Sequence, residues 1–344
     1  MSNKISIDIG SKNLHIAEGD FQKGVLTVKG GQSFELPPGC IASEAIEDGA
    51  LLAESLANYL KAGEFTAKEA ILTINATHAI IRELDFPKAK PKELDSMIKN
   101  EMYQTFHVLN TDVIQYKAIG QTTDNDGALL DRYRVAAIEH DNVDHFHTLL
   151  ERAGLKAVAM DINVNAIDKM IQWADSLNEK AIDDKTVMLV DFGHSVTTIY
   201  ICTKNQPLFY RNLSMGSAEI DGVLKSTFYM DEADAVEFKK NTDIFANTTD
   251  AVPYFEALKP FLYHMNDEIR KLIAFYSNRN KEGGVSSCYV FGQGAELAGL
   301  IDYWGSSLNL PMEKLQSFSR GGTVVNVKHP AQLNAIAALI RYQE

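Results

Sequence analysis

Apolar and polar positions alternate from the start of the chain. Ile5, Ile7 and Ile9 alternate with Ser6 and Asp8, and Leu14 and Ile16 with His15 and Ala17. A period of two is the pattern of strands. With turns at Gly19-Asp20 and Gly30-Gly31, and Pro37-Pro38-Gly39 as a stop, residues 4–36 read as a β-meander. At about 49–62 the period becomes helical, with Leu51, Leu52, Leu56, Tyr59 and Leu60 on one face. Strand sequence returns at 69–74 and 79–84. Pro91 then opens a helix, since proline fits the first turn, and Leu94, Met97, Ile98, Met102 and Phe106 carry it. Strands are expected at about 112–119 and 131–138, joined by the polar tip Asp124-Asn125-Asp126-Gly127. A helix at about 141–153 stops at Gly154. A strand at 155–161 and a helix at about 163–175 lead to a linker around 178–185.

A second meander follows at 187–213. Helices are expected from Ser217 to about Phe228, at about 231–240 and at about 251–279. Strand Cys288–Phe291 runs into Gly292-Gln293-Gly294 and a helix at 295–301, and Pro330 begins a final helix. The order is that of an α/β protein with duplicated halves. The first half comprises 1–67 and 153–180, the second 181–344, and 68–152 is a small α/β subdomain inserted into the first.

The duplication is sharpest where chemistry is expected. Ile7-Asp8-Ile9-Gly10-Ser11 ends the first strand, and Val190-Asp191-Phe192-Gly193-His194-Ser195 recurs about half the chain later. A lone Asp-x-Gly is most simply a turn in which the carboxylate accepts backbone N–H groups. Two copies at matching places favour a shared polyanionic ligand. Gly10 and Gly193 let backbone approach a phosphate, and Ser11, Asn13, Ser195 and Thr197 add donors. Carboxylates repel phosphate, so Asp8 and Asp191 imply Mg²⁺ held through water. Gly292-Gln293-Gly294 after a strand, and Met215-Gly216-Ser217 before a helix, are weaker candidates for the same ligand.

Composition narrows the classes. The 344 residues are 45% hydrophobic and 23% charged, as in soluble globular proteins. The 33 Lys and Arg against 46 Asp and Glu leave −13, which disfavours nucleic acid and anionic lipid as partners. Cys40, Cys202 and Cys288 form neither a disulfide framework nor a zinc motif. With no signal peptide and no run of roughly 20 apolar residues, the expectation is a cytoplasmic protein without direct membrane insertion.

Paired Asp-x-Gly hairpins, a helix joining two halves and a late Gly-rich turn resemble the actin-like ATPase superfamily. Within it the chain is most similar to the PilM family of type IV pilus assembly. Further segments that carry the likeness are Arg82-Glu83-Leu84-Asp85-Phe86-Pro87, Met160-Asp161-Ile162-Asn163 and Phe209-Tyr210-Arg211-Asn212-Leu213. The resemblance implies ATP with Mg²⁺ between the halves. Asp8, Gly10, Ser11, Lys12 and Asn13 would form one phosphate loop, and Asp191, Gly193, His194, Ser195 and Thr197 the other. Gly216, Ser217, Lys239, Gly292, Gln293, Gly294 and Glu296 would lie on the adenosine side. It also implies a partner, the N-terminal cytoplasmic peptide of a PilN-like membrane protein, gripped with help from the insertion. That peptide would hold the protein at the inner face of the membrane, among other pilus-platform components such as the assembly ATPase.

Departures from the family pattern bear on turnover. Gly216-Ser217 and Phe291-Gly292 stand where Gly-Gly is usual, Ala235-Val236 where Ala-Glu is usual, and Asn163 where Glu is usual. An amide can orient a water but cannot take its proton. Hydrolysis is therefore expected to be weak or absent, and no catalytic residue is assigned. The alternatives are a filament-forming or cell-division ATPase of the FtsA type, and a kinase-type enzyme of the same superfold. Arg341 is the only cation in 333–344, which disfavours an FtsA-type basic amphipathic anchor.

Overall fold

The strand Lys4–Ile9 is buried at every position after Lys4, so its alternation does not mark one wet face. In the computed structural model it lies at the centre of a sheet. Residues 3–42, 45–75, 77, 79–204, 208–246, 248–279 and 283–342 are described. Residues 205–207 of the expected second meander and the last two residues of the expected C-terminal segment lie outside them.

Across the first sheet the strands run Lys156–Ile162, Glu69–Ile74, Lys4–Ile9, Asn13–Gln22, Val25–Glu35. The first three are parallel and the last two return antiparallel. The second sheet repeats this plan as Met312–Lys314, Ser287–Phe291, Thr186–Phe192, Thr197–Thr203, Phe209–Leu213. Asp8 and Asp191 are each the penultimate residue of the central strand of their sheet.

Two crossover helices join the halves. Asn163–Trp173 follows the last strand of the first sheet, Leu333–Ala338 comes near the C-terminus, and the two pack together. Residues 333–340 are all buried. This segment is core, which explains why it lacks a polar face. One core runs from helix Gly49–Ala62 through both crossover helices to one face of the second sheet, where Leu189, Tyr200 and Phe291 meet it. The other face of that sheet packs on the long helix Val252–Arg279 through Leu258, Leu262, Met265 and Ile269.

The insertion is smaller than its sequence implied. Strands Ile80–Phe86, Leu129–Ile138 and Val113–Thr123 form a separate antiparallel sheet, and helix Pro91–Thr105 sets Leu94, Ile98 and Met102 against it. Glu69–Ile74, expected within the insertion, pairs inside the first-half sheet, and helix His140–Arg152 buries Phe146, Leu149 and Leu150 in the first-half core. The apolar run Ala70-Ile71-Leu72 is the mark of a strand buried on both faces. An ion cluster around buried Asp168 and Arg134 fastens the insertion. Asp168 of the crossover helix accepts from Lys117 Nζ at 2.8 Å and Arg134 at 3.0 Å, and Arg134 also donates to Glu83 and to the Leu208 carbonyl.

Two other expectations change. The linker near 178–185 contains the strand Lys180–Ala181 and follows the strand Ser176–Leu177, and the two join Ser317–Arg320 and Thr323–Asn326 in a four-stranded sheet. Two-residue strands are too short to show a period. The helix expected at 295–301 is a 3₁₀ turn, Gln293–Glu296, and the α-helix starts only at Leu300. Gly299, at φ +76°, makes the break.

Candidate functional site

Both Asp-x-Gly segments fold into the same tight turn. The Gly10 N–H donates to the Asn13 carbonyl at 2.9 Å, and the Gly193 N–H to the Val196 carbonyl at 3.1 Å. A Cβ would lie 2.9 Å from that acceptor at Gly10 and 2.6 Å at Gly193, so each turn excludes a larger residue. Each turn thereby sets a carboxylate at the floor of the space between the halves.

Asp8 and Asp191 are joined by a residue from neither turn. Asn334 Nδ2 donates to Asp191 Oδ2 at 2.9 Å and to Asp8 Oδ2 at 3.5 Å. Burial, and then the Asp191 charge, push the Asp8 carboxyl up to about 8. Burial alone raises Asp191 to about 6, and the Asn334 bond opposes both shifts. Asn334 Oδ1 is buried with no hydrogen-bond partner among the described residues.

The loops also bond to each other across the halves. Ser195 Oγ donates to Ser11 Oγ at 2.7 Å, and Asn13 Nδ2 donates to Gln293 Oε1. Lys12 pairs with Glu232, whose carboxyl Lys12 and Lys225 hold down at about 2. Beneath them lies buried Asp221, which pairs with Lys239 and lies 3.9 Å from both Lys12 Nζ and His194 Nδ1.

The cleft has a tight part and a roomy part. The tight part, about 70 Å³, is lined by Asp8, Gly10, Ser11, Lys12, Asn13, Asp191, Gly193, His194, Ser195, Gly292 and Gln293 of the expected residues. The roomy part, about 520 Å³, is lined by Ser217, Lys239, Gln293, Gly294 and Glu296. Asn13, His15, Gln293 and Ala331 line both, which makes them one site. Thr197 and Gly216 line neither. Thr197 Oγ1 donates to the Met215 carbonyl at 2.7 Å, and the Gly216 N–H to Glu219 Oε2 at 2.9 Å, so both brace the second turn from behind. Gly292, at φ +84°, would set a Cβ 2.5 Å from Asp191 Oδ1.

Sequence reading missed Asn334, Asp221, Asn75, His15 and Gln332. A usable signal existed for two of them. Asn334 interrupts the apolar run Leu333 to Ile340, and Asp221 sits beside Ile220 on the buried face of helix Ser217–Phe228. Burial lowers His15 to about 4, and its Nδ1 lies 2.8 Å from Ser33 Oγ.

Comparison with solved structures identifies the fold. The PilM-PilN type IV pilus biogenesis complex superposes with a TM-score of 0.74 at 19% identity, over 91% of this chain and 88% of that one. The ethanolamine utilization protein EutJ from Carboxydothermus hydrogenoformans gives 0.56 at 13% identity, over 98% and 89%. MreB5 of Spiroplasma citri bound to AMPPNP gives 0.52 at 10%, over 98% and 95%. The fold is therefore actin-like. The family model described as type IV pilus assembly protein PilM matches residues 6–338. Because that match spans both halves and the insertion, the chain belongs to the PilM family of type IV pilus assembly proteins.

Proposed function

We propose that the chain is an ATP-binding scaffold of type IV pilus assembly, with hydrolysis weak or absent. The observation that carries the nucleotide reading is the pair of buried carboxylates at matched strand ends, clasped by Asn334 between two glycine turns. Burying two like charges side by side is costly, and such pairs are kept where a ligand uses them.

The residues present fit Mg²⁺. Asp8 and Asp191 supply hard oxygen ligands suited to water-mediated contact, and Asn334 Oδ1 is a buried acceptor lining the same space. Mg²⁺, when bound, would supply the positive charge that lets the carboxylates and the phosphates share one cavity. Ser11 and Ser195, in place of their bond to each other, and Lys12, in place of its pair with Glu232, would bind phosphate oxygens. The roomy part, within the usual 300–1,000 Å³ of small-molecule sites, would take the nucleoside.

Slow turnover follows from the lining. Among the described residues, Asp8 and Asp191 are the only carboxylates of the tight part, and Asn75 and Asn163 supply amides. Amides can orient a water without acting as its base.

The partner reading rests on family membership and on the complex to which the chain is similar. By that reading the chain binds the N-terminal cytoplasmic peptide of a PilN-like membrane protein, in a groove formed with the insertion. No helix among the described residues is long and apolar enough to cross a membrane, so the peptide would supply the attachment.

Calorimetry with Mg²⁺·ATP tests the first half of the proposal. Wild type should bind with little phosphate release, and Asp191→Ala should bind more weakly. No affinity in the wild type would remove the nucleotide reading. A synthetic N-terminal peptide of the PilN-like protein encoded in the same genome tests the second half, and absence of binding would remove it.

A further inference from the structure

One buried acid gathers the basic side chains of the cleft. Asp221 lies one turn inside helix Ser217–Phe228 and is 3% exposed. Three other segments bring side chains to it. Lys239, from helix Glu232–Asn241, pairs with Oδ1. Lys12 Nζ, beside the first glycine turn, and His194 Nδ1, beside the second, each lie 3.9 Å from Oδ2. Lys12 belongs to the first half and the others to the second, so the cluster spans the cleft. Burial holds the His194 imidazole below its ordinary value, so at neutral pH the cations facing Asp221 are the two lysines.

Both lysines are enclosed, with side chains 14% and 15% exposed for Lys12 and Lys239. A lysine so enclosed is rarely without an acid beside it. Lys12 has a second acid in Glu232, whereas Lys239 pairs with no other among the described residues. Neither Asp221 oxygen accepts a hydrogen bond of ordinary geometry among those residues, so charge alone answers its burial. A carboxylate kept in that condition is costly, and the lysines it holds face the ligand space.

The cluster changes where Lys239 acts. The residue lines the roomy part, but its ammonium is held at the carboxylate beside Lys12 and His194, which line the tight part. The ammonium therefore stands where the two parts meet. A compact positive charge at that junction suits a phosphate oxygen better than a base or a sugar.

We propose that Lys239 binds the phosphate nearest the nucleoside, and that Asp221 is its positioning residue. The proposal rests on the nucleotide reading above and deepens it. Asp221 lines neither part of the cleft, so it acts through Lys239 and not on the ligand. It exerts two opposite effects. Its charge repels phosphate, and removing that charge would by itself tighten binding. Its hold on Lys239 fixes a flexible side chain, and releasing that side chain would weaken binding. Mg²⁺ offsets much of the phosphate charge, so the second effect wins while Lys239 is present.

The test measures Mg²⁺·ATP affinity by calorimetry for the full chain, Asp221→Asn, Lys239→Met and the double variant. Asp221→Asn should bind about tenfold more weakly than wild type. In the Lys239→Met background the same change should cost nothing or tighten binding, since Lys12 keeps Glu232 as its acid and only the repulsion is left. Adenosine and Mg²⁺·tripolyphosphate, each competed against a fluorescent ATP analogue, divide the ligand in two. Lys239→Met should weaken tripolyphosphate several-fold and leave adenosine unchanged. Circular dichroism and ligand-free melts show whether each variant is folded, and if Asp221→Asn is not, the two half-ligands on Lys239→Met decide alone. Equal losses from Asp221→Asn in both backgrounds would make Asp221 merely structural. Tighter ATP binding by Asp221→Asn alone would mean that it only repels. Loss of adenosine with tripolyphosphate unchanged would return Lys239 to the nucleoside. Each of these overturns the proposal while wild type still binds ATP. No wild-type affinity for ATP would instead remove the nucleotide reading, and this proposal with it.

Discussion

Replacing Asp8 with Asn should make the ligand-free protein more stable, and the gain should depend on pH. Asp8 titrates at about 8 in the fold against 3.8 in the reference state. Between those values the native protein holds a proton that the unfolded chain has lost. Stability therefore falls as pH rises through the window, because its slope follows protons bound in the unfolded state minus those bound in the native one. At about 1.4 kcal/mol per unit the full shift amounts to roughly 6 kcal/mol, most of it already felt at pH 8. Asn fills the same space without the charge, so at pH 8 the variant should gain roughly 3–6 kcal/mol. A melting entropy of about 2 cal/mol/K per residue makes this a Tm rise of roughly 4–8 °C for a chain of this length. The assay is thermal unfolding at pH 5 to 9 in EDTA. Wild-type Tm should fall across the window more steeply than that of the variant, and Mg²⁺·ATP should recover the loss in wild type only. A variant no more stable than wild type at pH 8 would refute the reasoning. It would mean that the carboxylates are solvated and carry no strain for a ligand to relieve.

Three other outcomes follow from the same structure. Asp168→Ala leaves Arg134, only 3% exposed, without its buried partner and should cost about 3–5 kcal/mol, whereas Asp85→Ala, which frees the more exposed Arg132 on the same strand, should cost under about 1 kcal/mol; urea melts of the two variants compare them. Asn334→Leu removes the N–H shared by Asp8 and Asp191 and should lower Tm more at pH 8, where Asp191 is ionised and Asp8 about half so, than at pH 5, where both are mostly protonated. His15, lowered to about 4 from 6.5, should withdraw up to roughly 3 kcal/mol of stability as pH falls from 6.5 to 4. His15→Gln should remove that loss, read as the difference between the pH profiles with and without His15 in the Asp8→Asn background, where Asp191 still gives an opposite slope common to both.

The duplication was readable because the two turns repeat a local pattern. Asp8 with Gly10, and Asp191 with Gly193, are neighbours in sequence as well as in space, and the turn that aligns them is built from its own residues. Asn334 was not readable as their clasp, since a bond between residues 143 positions apart leaves no local period. Its trace was a single amide in a buried apolar run. Lys239 was placed on the adenosine side without its buried partner Asp221, which belongs to a different helix. The limits of the insertion were misread for a physical reason of another kind. Glu69–Ile74 lies between two parallel strands, and parallel pairing joins segments that the chain itself keeps far apart.

The bonds of Ser11 to Ser195, Asn13 to Gln293 and Lys12 to Glu232 cross from one half to the other. Taken as kinetics, they describe a latch. The donors that would hold phosphate are already engaged, so a ligand must wait for the halves to part before it can exchange for those contacts. Association through such a site is limited by opening, and its observed rate levels off as ligand concentration rises instead of growing in proportion. The same latch slows departure, because a ligand that has taken over the cross-links becomes the piece that keeps the halves shut. If the cleft takes the nucleotide proposed for it, a protein of this build would suit long occupancy, the nucleotide then acting as a structural part more than as fuel.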